Sequence, residues 1–172
     1  MLRILLVDDE ELLCKGMKIK LDAALADVEH QCEYVLGGGQ AVEFSREYQP
    51  DIAIVDIKMP GMNGMDTLSA VRAVSPDTVF LALSAYDGFN FVREMFVLGA
   101  VDYLLKPVSI ADVRASVDKA REVLRRHEDE AASQRQNELF HLLADAETMD
   151  AAIFIAGVRN QKRWNEIGRA HV

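Results

Sequence analysis

The chain has 172 residues, half of them apolar and 27% charged, with a net charge of −9. That composition suits a soluble globular protein, and its acidic balance argues against direct binding of nucleic acid, whose phosphates call for a basic surface. No run approaches the roughly 18 uninterrupted apolar residues of a membrane span.

Met1-Leu2-Arg3-Ile4 leads straight into a core-like strand with no signal peptide ahead of it, so a cytoplasmic protein without a membrane partner is expected. Short apolar runs then alternate with helix-period segments. Residues 4–7 read as a first strand, bounded by Asp8-Asp9-Glu10. Residues 11–25 carry Leu13, Met17 and Leu21 at spacings of four, which keeps one helix face inward. A second strand is expected over 32–36, ended by Gly37-Gly38-Gly39 read as a turn, and a second helix over 40–48. Residues 51–55 read as the third strand, and the unbroken apolar run after Asp51 suggests burial on both faces, as in a parallel sheet. A third helix (65–74), fourth strand (78–83), fourth helix (88–98), fifth strand (101–104) and a fifth helix opening near Ser109 complete the series. Cys14 and Cys32 lie in apolar surroundings without metal-ligand spacing and read as reduced structural thiols.

Strands and helices alternating at such short spacing imply right-handed crossovers and an α/β fold, a doubly wound five-stranded parallel sheet. In such a sheet the site lies beyond the carboxyl ends of the strands. There the sequence places Asp8 and Asp9 after strand one, Asp56 after strand three, Ser84 after strand four and Lys106 after strand five. Two carboxylates about 5 Å apart repel by about 3 kcal/mol at an effective dielectric near 20. A hard divalent cation with oxygen ligands would offset that, and such an ion can leave positions for water and a phosphoryl oxygen. The pattern is suited to phosphoryl transfer.

The segments Leu6-Val7-Asp8-Asp9-Glu10, Asp56-Ile57-Lys58-Met59-Pro60-Gly61-Met62-Asn63-Gly64, Leu83-Ser84-Ala85-Tyr86 and Asp102-Tyr103-Leu104-Leu105-Lys106-Pro107 stand in one order across residues 2–125. Together they resemble the receiver domain of two-component response regulators, a flavodoxin-like (βα)5 fold. The segment from Ser84 to Phe89 looks more narrowly like receivers of AraC-type transcriptional regulators. The resemblance implies that Asp56 is the phosphoacceptor, attacking the phosphoryl group of a phosphohistidine on a sensor histidine kinase. It implies Mg2+ (or Mn2+) bound by Asp9, Asp56 and the backbone carbonyl of Lys58, with Asp8 acting mainly through a metal-bound water. Ser84 and Lys106 would each pair with a phosphoryl oxygen. Ala85 would leave room for that group, and Tyr103 would turn inward once Ser84 moves. The Lys106-Pro107 bond would be cis, and Lys58 and Tyr86 would tune the phosphoryl lifetime. The face of the fourth helix, fifth strand and fifth helix would switch, with Phe91, Met95, Phe96 and Leu98 supplying its apolar bulk. Such a chain is a phosphoacceptor switch, self-phosphorylating and slowly self-dephosphorylating, rather than an enzyme with a turnover substrate.

Other readings of the same residues fare worse. Asp8-Asp9-Glu10 could simply cap the first helix, but Asp56 and Lys106 at the same sheet edge make that unattractive. A flavodoxin-like redox protein would not end strand one in two acids that repel the flavin phosphate. A phosphatase of the haloacid dehalogenase type would need a second Asp where Lys58 stands. Gly37-Gly38-Gly39 lacks the Lys-Ser/Thr of a nucleotide-binding loop.

Beyond residue 125 the helical pattern continues. Ile110, Val113, Val117, Ala120 and Leu124 alternate spacings of three and four, and His127 and Ala131 extend the series. Residues 1–125 are thus expected to form the receiver. Residues 126–172 would be a helical linker toward an absent DNA-binding output domain, or an arm for pairing two copies. The basic stretch 161–172 shows no pattern and reads as native linker or an expression tail. A stand-alone receiver acting by docking to a partner protein is the alternative.

Overall fold

The computed structural model describes residues 1–85, 93 and 96–169, with side chains described up to Leu139. Tyr86, Phe91, Met95 and most of the expected fourth helix lie outside the described residues. The chain divides into two units, Met1–His127 and Glu128–Val172.

In the first unit β1 (Leu2–Val7), β2 (His30–Val35), β3 (Ile52–Asp56), β4 (Val79–Ser84) and β5 (Ala100–Leu105) form one parallel sheet, ordered β2-β1-β3-β4-β5. This is the doubly wound parallel sheet expected from the alternation, in the flavodoxin-like form that the resemblance implies. Helices α1 (Glu11–Ala24), α2 (Gly38–Tyr48), α3 (Gly64–Val74) and a C-terminal helix (Ile110–Arg169) follow strands β1, β2, β3 and β5.

The period-two alternation of a strand sorts the core into two clusters. Ile4, Leu6, Ile52, Ile54, Leu81 and Leu83 face α1 and the start of the C-terminal helix, meeting Met17, Leu21, Val113 and Val117. Leu5, Val7, Ala53, Val55, Phe80 and Ala82 face α2 and α3, meeting Ala41, Leu68 and Val71. Because β3 and β4 are buried at every residue, both read as continuous apolar runs. The strand order reverses between β1 and β3, and the crevice beyond their carboxyl ends is where such folds place their ligands.

Several boundaries differ from the sequence reading. Strand β2 begins two residues earlier, at His30, because pairing with β1 starts at Leu2. Asp56 and Ser84 end β3 and β4 as expected, each one residue past the apolar run, since Asp56 pairs with Leu83 and Ser84 with Leu105. The triple glycine is only partly a turn. Gly37, at φ +113°, makes the turn, while Gly38 and Gly39 open α2. Gly38 lies so close to α3 that an added Cβ would overlap the Thr67 hydroxyl and the Met62 side chain, so its smallness serves helix packing.

Between Phe80 and Leu81 the β4–β5 register shifts: Phe80 pairs with Ala100 but Leu81 with Asp102. Val101 is therefore the extra residue of a bulge. The bulge sets Asp102 on the sheet face of the C-terminal helix and Tyr103 on the opposite face, against the cluster around Phe80 and Ala82.

Asn63 caps α3. Its Oδ1 accepts the Asp66 backbone N–H at 2.9 Å and its Nδ2 donates to the Asp66 carboxylate at 2.8 Å. Asn63→Ala is expected to cost about 1 kcal/mol, typical of a lost N-cap. Urea denaturation would read it, and an unchanged midpoint would show that the cap contributes nothing.

Both cysteines are buried and free. Burial pushes the Cys14 thiol up to about 11 and the Cys32 thiol to about 12, which keeps both protonated and unreactive near neutrality. In the second unit residues 128–169 are helical, and every residue from 125 to 139 is exposed. Among the described residues no helix is long and apolar enough to cross a membrane.

Candidate functional site

Asp56 closes β3, 7% exposed, where the apolar run Ile52-Ala53-Ile54-Val55 delivers it to the carboxyl edge of the sheet. Its Oδ1 accepts the Lys58 backbone N–H at 2.9 Å, and its Oδ2 accepts from Lys106 Nζ at 2.5 Å. The same ammonium donates to Asp8 Oδ2 at 2.7 Å. Asp8, 3% exposed, is turned inward by its own Oδ1 accepting the Glu10 N–H at 2.9 Å. Helix α1 uses Glu10 as its N-cap residue without a side-chain cap, so Asp8 and Asp9 are not spent on capping it.

Lys106 is aimed by the backbone on both sides. Its N–H donates to the Ser84 carbonyl at 2.7 Å, extending the β4–β5 ladder, and its bond to Pro107 is cis, as the resemblance implies. The outcome is one ammonium between two buried carboxylates. Each attraction, at about 3 Å and an effective dielectric near 20, is about 5 kcal/mol; the repulsion of carboxylates about 5 Å apart is about 3. Between these charges alone, the attraction to Lys106 outweighs the repulsion of the acid pair.

Burial raises the Asp56 carboxyl above the ordinary range, and Lys106 and the Lys58 N–H offset that only in part. For Lys106 burial works to lower the ammonium, but its bonds to Asp56 and Asp8 outweigh it and hold it above the usual value. A lysine so placed stays charged throughout the physiological range.

The expected residues are not all gathered in one place. Asp8, Asp56 and Lys106 converge, and Ser84, 2% exposed, closes the adjacent strand. Asp9 is exposed, one residue beyond Asp8 where the loop turns to solvent. Lys58 and Ala85 are exposed at the mouth, and Tyr103 is half-buried. Among the described residues no three His, Cys, Asp or Glu side chains lie close enough together to hold a metal in this arrangement. The ammonium stands between Asp8 and Asp56, and Asp9 remains outside. The donor chemistry is nonetheless all oxygen, two buried carboxylates plus a third on the same loop, which suits Mg2+ rather than a soft metal.

One residue of the site carried no role in the sequence reading. Gly64 opens α3 directly against the end of β3, where an added Cβ would overlap the Asp56 carbonyl, and its N–H donates to the Ile57 carbonyl at 2.9 Å. The glycine lets the helix start close to Asp56, and its only signal was its place at the end of the loop segment after Asp56.

The sequence profile described as the response regulator receiver domain matches residues 4–118. The transcriptional regulatory protein YesN of Bacillus subtilis (strain 168) is 32% identical over 164 residues, covering 92% of this chain and 43% of YesN. The chain thus spans less than half of that relative's length. Sporulation initiation phosphotransferase F of the same organism is 28% identical over 117 residues, 68% of this chain and 91% of the relative. Among solved structures, a two component transcriptional regulator AraC from Clostridium phytofermentans ISDg has a TM-score of 0.64 at 22% identity, covering 76% of this chain and 99% of that one. At that identity the likeness shows the fold alone.

Proposed function

Because this chain belongs to the response regulator receiver family over residues 4–118, we propose that Asp56 accepts the phosphoryl group here and that the acceptance switches the domain. The family is a phosphoacceptor switch. The observation that carries the assignment to Asp56 is its place between the Lys106 ammonium and the Lys58 N–H, buried at the strand end.

In the proposed step a carboxylate oxygen of Asp56 attacks phosphorus in line. The new P–O bond forms as the P–N bond of a donor phosphohistidine breaks, and the imidazole leaves with its electron pair. Lys106 neutralises charge on the phosphoryl oxygens as a point charge, and the Ser84 hydroxyl donates to another. Asp8, Asp9, Asp56 and the Lys58 carbonyl would hold Mg2+, which supplies further charge neutralisation to the transferring group. Lys58, exposed beside the site, and Tyr86 would tune hydrolysis. Phosphorylation adds about −1.5 to −2 charge and three acceptor oxygens, enough to draw Lys106 away from Asp8 and to move the Ser84 loop and Tyr103.

Treatment with acetyl phosphate and Mg2+ is expected to add one phosphoryl mass, lost on exposure to hydroxylamine as an acyl phosphate should be. No mass gain under any divalent cation would overturn the reading. Asp9→Ala is expected to weaken the Mg2+ dependence of uptake and slow it without unfolding the domain. An unchanged rate at every Mg2+ concentration would remove Asp9 from the ligand set.

Residues 126–172 would link this receiver to a DNA-binding output domain, and a stand-alone docking role is the second reading. The exposed Phe96, Val97 and Leu105 beside β5 favour pairing of two copies on that face. Light scattering with and without beryllofluoride should show a mass increase with the phosphoryl mimic, and a constant monomer mass would exclude it.

A further inference from the structure

The bulge at Val101 aims Asp102 away from the acid site and onto the C-terminal helix. There its Oδ2 accepts both the Ser116 hydroxyl at 2.7 Å and the Lys119 ammonium at 2.9 Å. Ser116 is 3% exposed, in the same helix turns as the fully buried Val113, Val117 and Ala120. The pairing is specific to this geometry. Without the bulge the alternation of β5 would turn Asp102 to the other sheet face, where α3 packs. Burial acts to raise the Asp102 carboxyl, yet Lys119 and Ser116 together hold it below the usual carboxylate range.

Strand β5 and the residue after it thus touch three things. Lys106, just past its end, holds Asp8 and Asp56; Tyr103 packs on the α3 side; Asp102 grips the helix that leads out of the unit. Leu104 of β5 also shares an apolar cluster with Val113 and Val117 of that helix, a kind of contact without direction. Apolar packing tolerates small slides, whereas a carboxylate shared by a buried hydroxyl and an ammonium tolerates only one register.

We propose that Asp102, Ser116 and Lys119 form a polar latch that couples the position of β5, and hence the state of Asp56, to the C-terminal helix. Asp102 is a positioning residue: it touches no reacting atom and acts through the helix. Loss of its charge uncouples the helix from the site while leaving phosphoryl chemistry intact. This rests on Asp56 as the acceptor, so the test reads both events in the same samples.

The full chain would be treated with acetyl phosphate and Mg2+. Intact mass gives the phosphoryl load, and amide hydrogen exchange gives the protection of residues 110–127. In the wild type, phosphorylation is expected to change that protection. Asp102→Asn keeps shape and acceptor oxygen but not charge, and Lys119→Gln removes the cation. Both are expected to load phosphoryl to the wild-type extent and to lose the phosphorylation-dependent difference, while Lys119→Arg restores it. High salt should shrink the difference in the wild type, because Lys119 is 57% exposed and screened at a Debye length of about 3 Å in 1 M salt. A merely structural contact would lower protection equally in both states and leave the difference intact in the variants, which would overturn the proposal. So would a loaded wild type with no difference over 110–127. An unloaded wild type would instead defeat the assignment of Asp56.

Discussion

Asp56→Asn is expected to abolish phosphoryl uptake from acetyl phosphate while leaving the fold intact. The substitution keeps the shape of the side chain and an oxygen to accept the Lys58 N–H, now at 2.9 Å from Oδ1. It removes the proposed nucleophile, because an amide oxygen is a poor attacking group and cannot form a stable acyl phosphate. It also removes a carboxylate that burial already disfavours in its charged form. The denaturation midpoint should therefore hold or rise, not fall. Intact-mass measurement of both proteins after equal treatment decides the matter. Labelling of the Asn variant at the wild-type level would move the acceptor to another residue.

Lys106→Met should have the largest effect on stability, and an effect that depends on pH. Removing one partner of a buried ion pair typically costs about 3–5 kcal/mol, because the remaining charges are left uncompensated. Here Asp8 and Asp56 would both lose their shared cation at once. The Asp56 carboxyl would then sit still further above its unfolded value, since the ammonium is what opposes burial there. A carboxyl whose folded pKa exceeds its unfolded pKa binds more protons when folded. Its contribution is fully present below the unfolded value near 3.8 and is lost as pH rises through the folded value. The deficit of Lys106→Met relative to wild type should thus be small near pH 4 and full by pH 7. Urea titrations at the two pH values measure it, and added Mg2+ should recover part of the loss at pH 7. An equal deficit at both pH values would mean that the methylene stem of Lys106 matters and its charge does not.

Much of the fold was legible along the chain because a parallel sheet writes itself plainly. Strands buried on both faces must be continuous apolar runs, and β3 and β4 are apolar almost to their ends. The exceptions, Asp56 and Ser84, close those strands at the carboxyl edge of the sheet. The convergence of Asp56, Asp8 and Lys106 followed from the same reasoning, since parallel strands put all their carboxyl ends on one side. Helix starts were less legible. Gly38 and Gly64 look like turn residues by propensity, and both lie in the first turn of a helix because another backbone or side chain fills the space of a Cβ. Propensity is local, and that crowding is made by residues nearly thirty positions away for Gly38.

By itself, then, the amino-acid order determined the alternation of elements, the parallel sheet and the identity of the residues at its carboxyl edge. These depend on periodicity and on strand direction, both of which are local or follow from short connections. Only the tertiary structure decided how those residues share their charges. That Asp8 turns inward and Asp9 outward depends on one hydrogen bond to the Glu10 N–H. That Lys106 serves two carboxylates depends on the closing of β4 against β5. That Asp102 grips the C-terminal helix while Tyr103 faces the other way depends on one unpaired residue, Val101, in a strand too short to show a break in its pattern. A shift of one residue reverses every side chain after it, and only pairing with a neighbouring strand reveals where it falls.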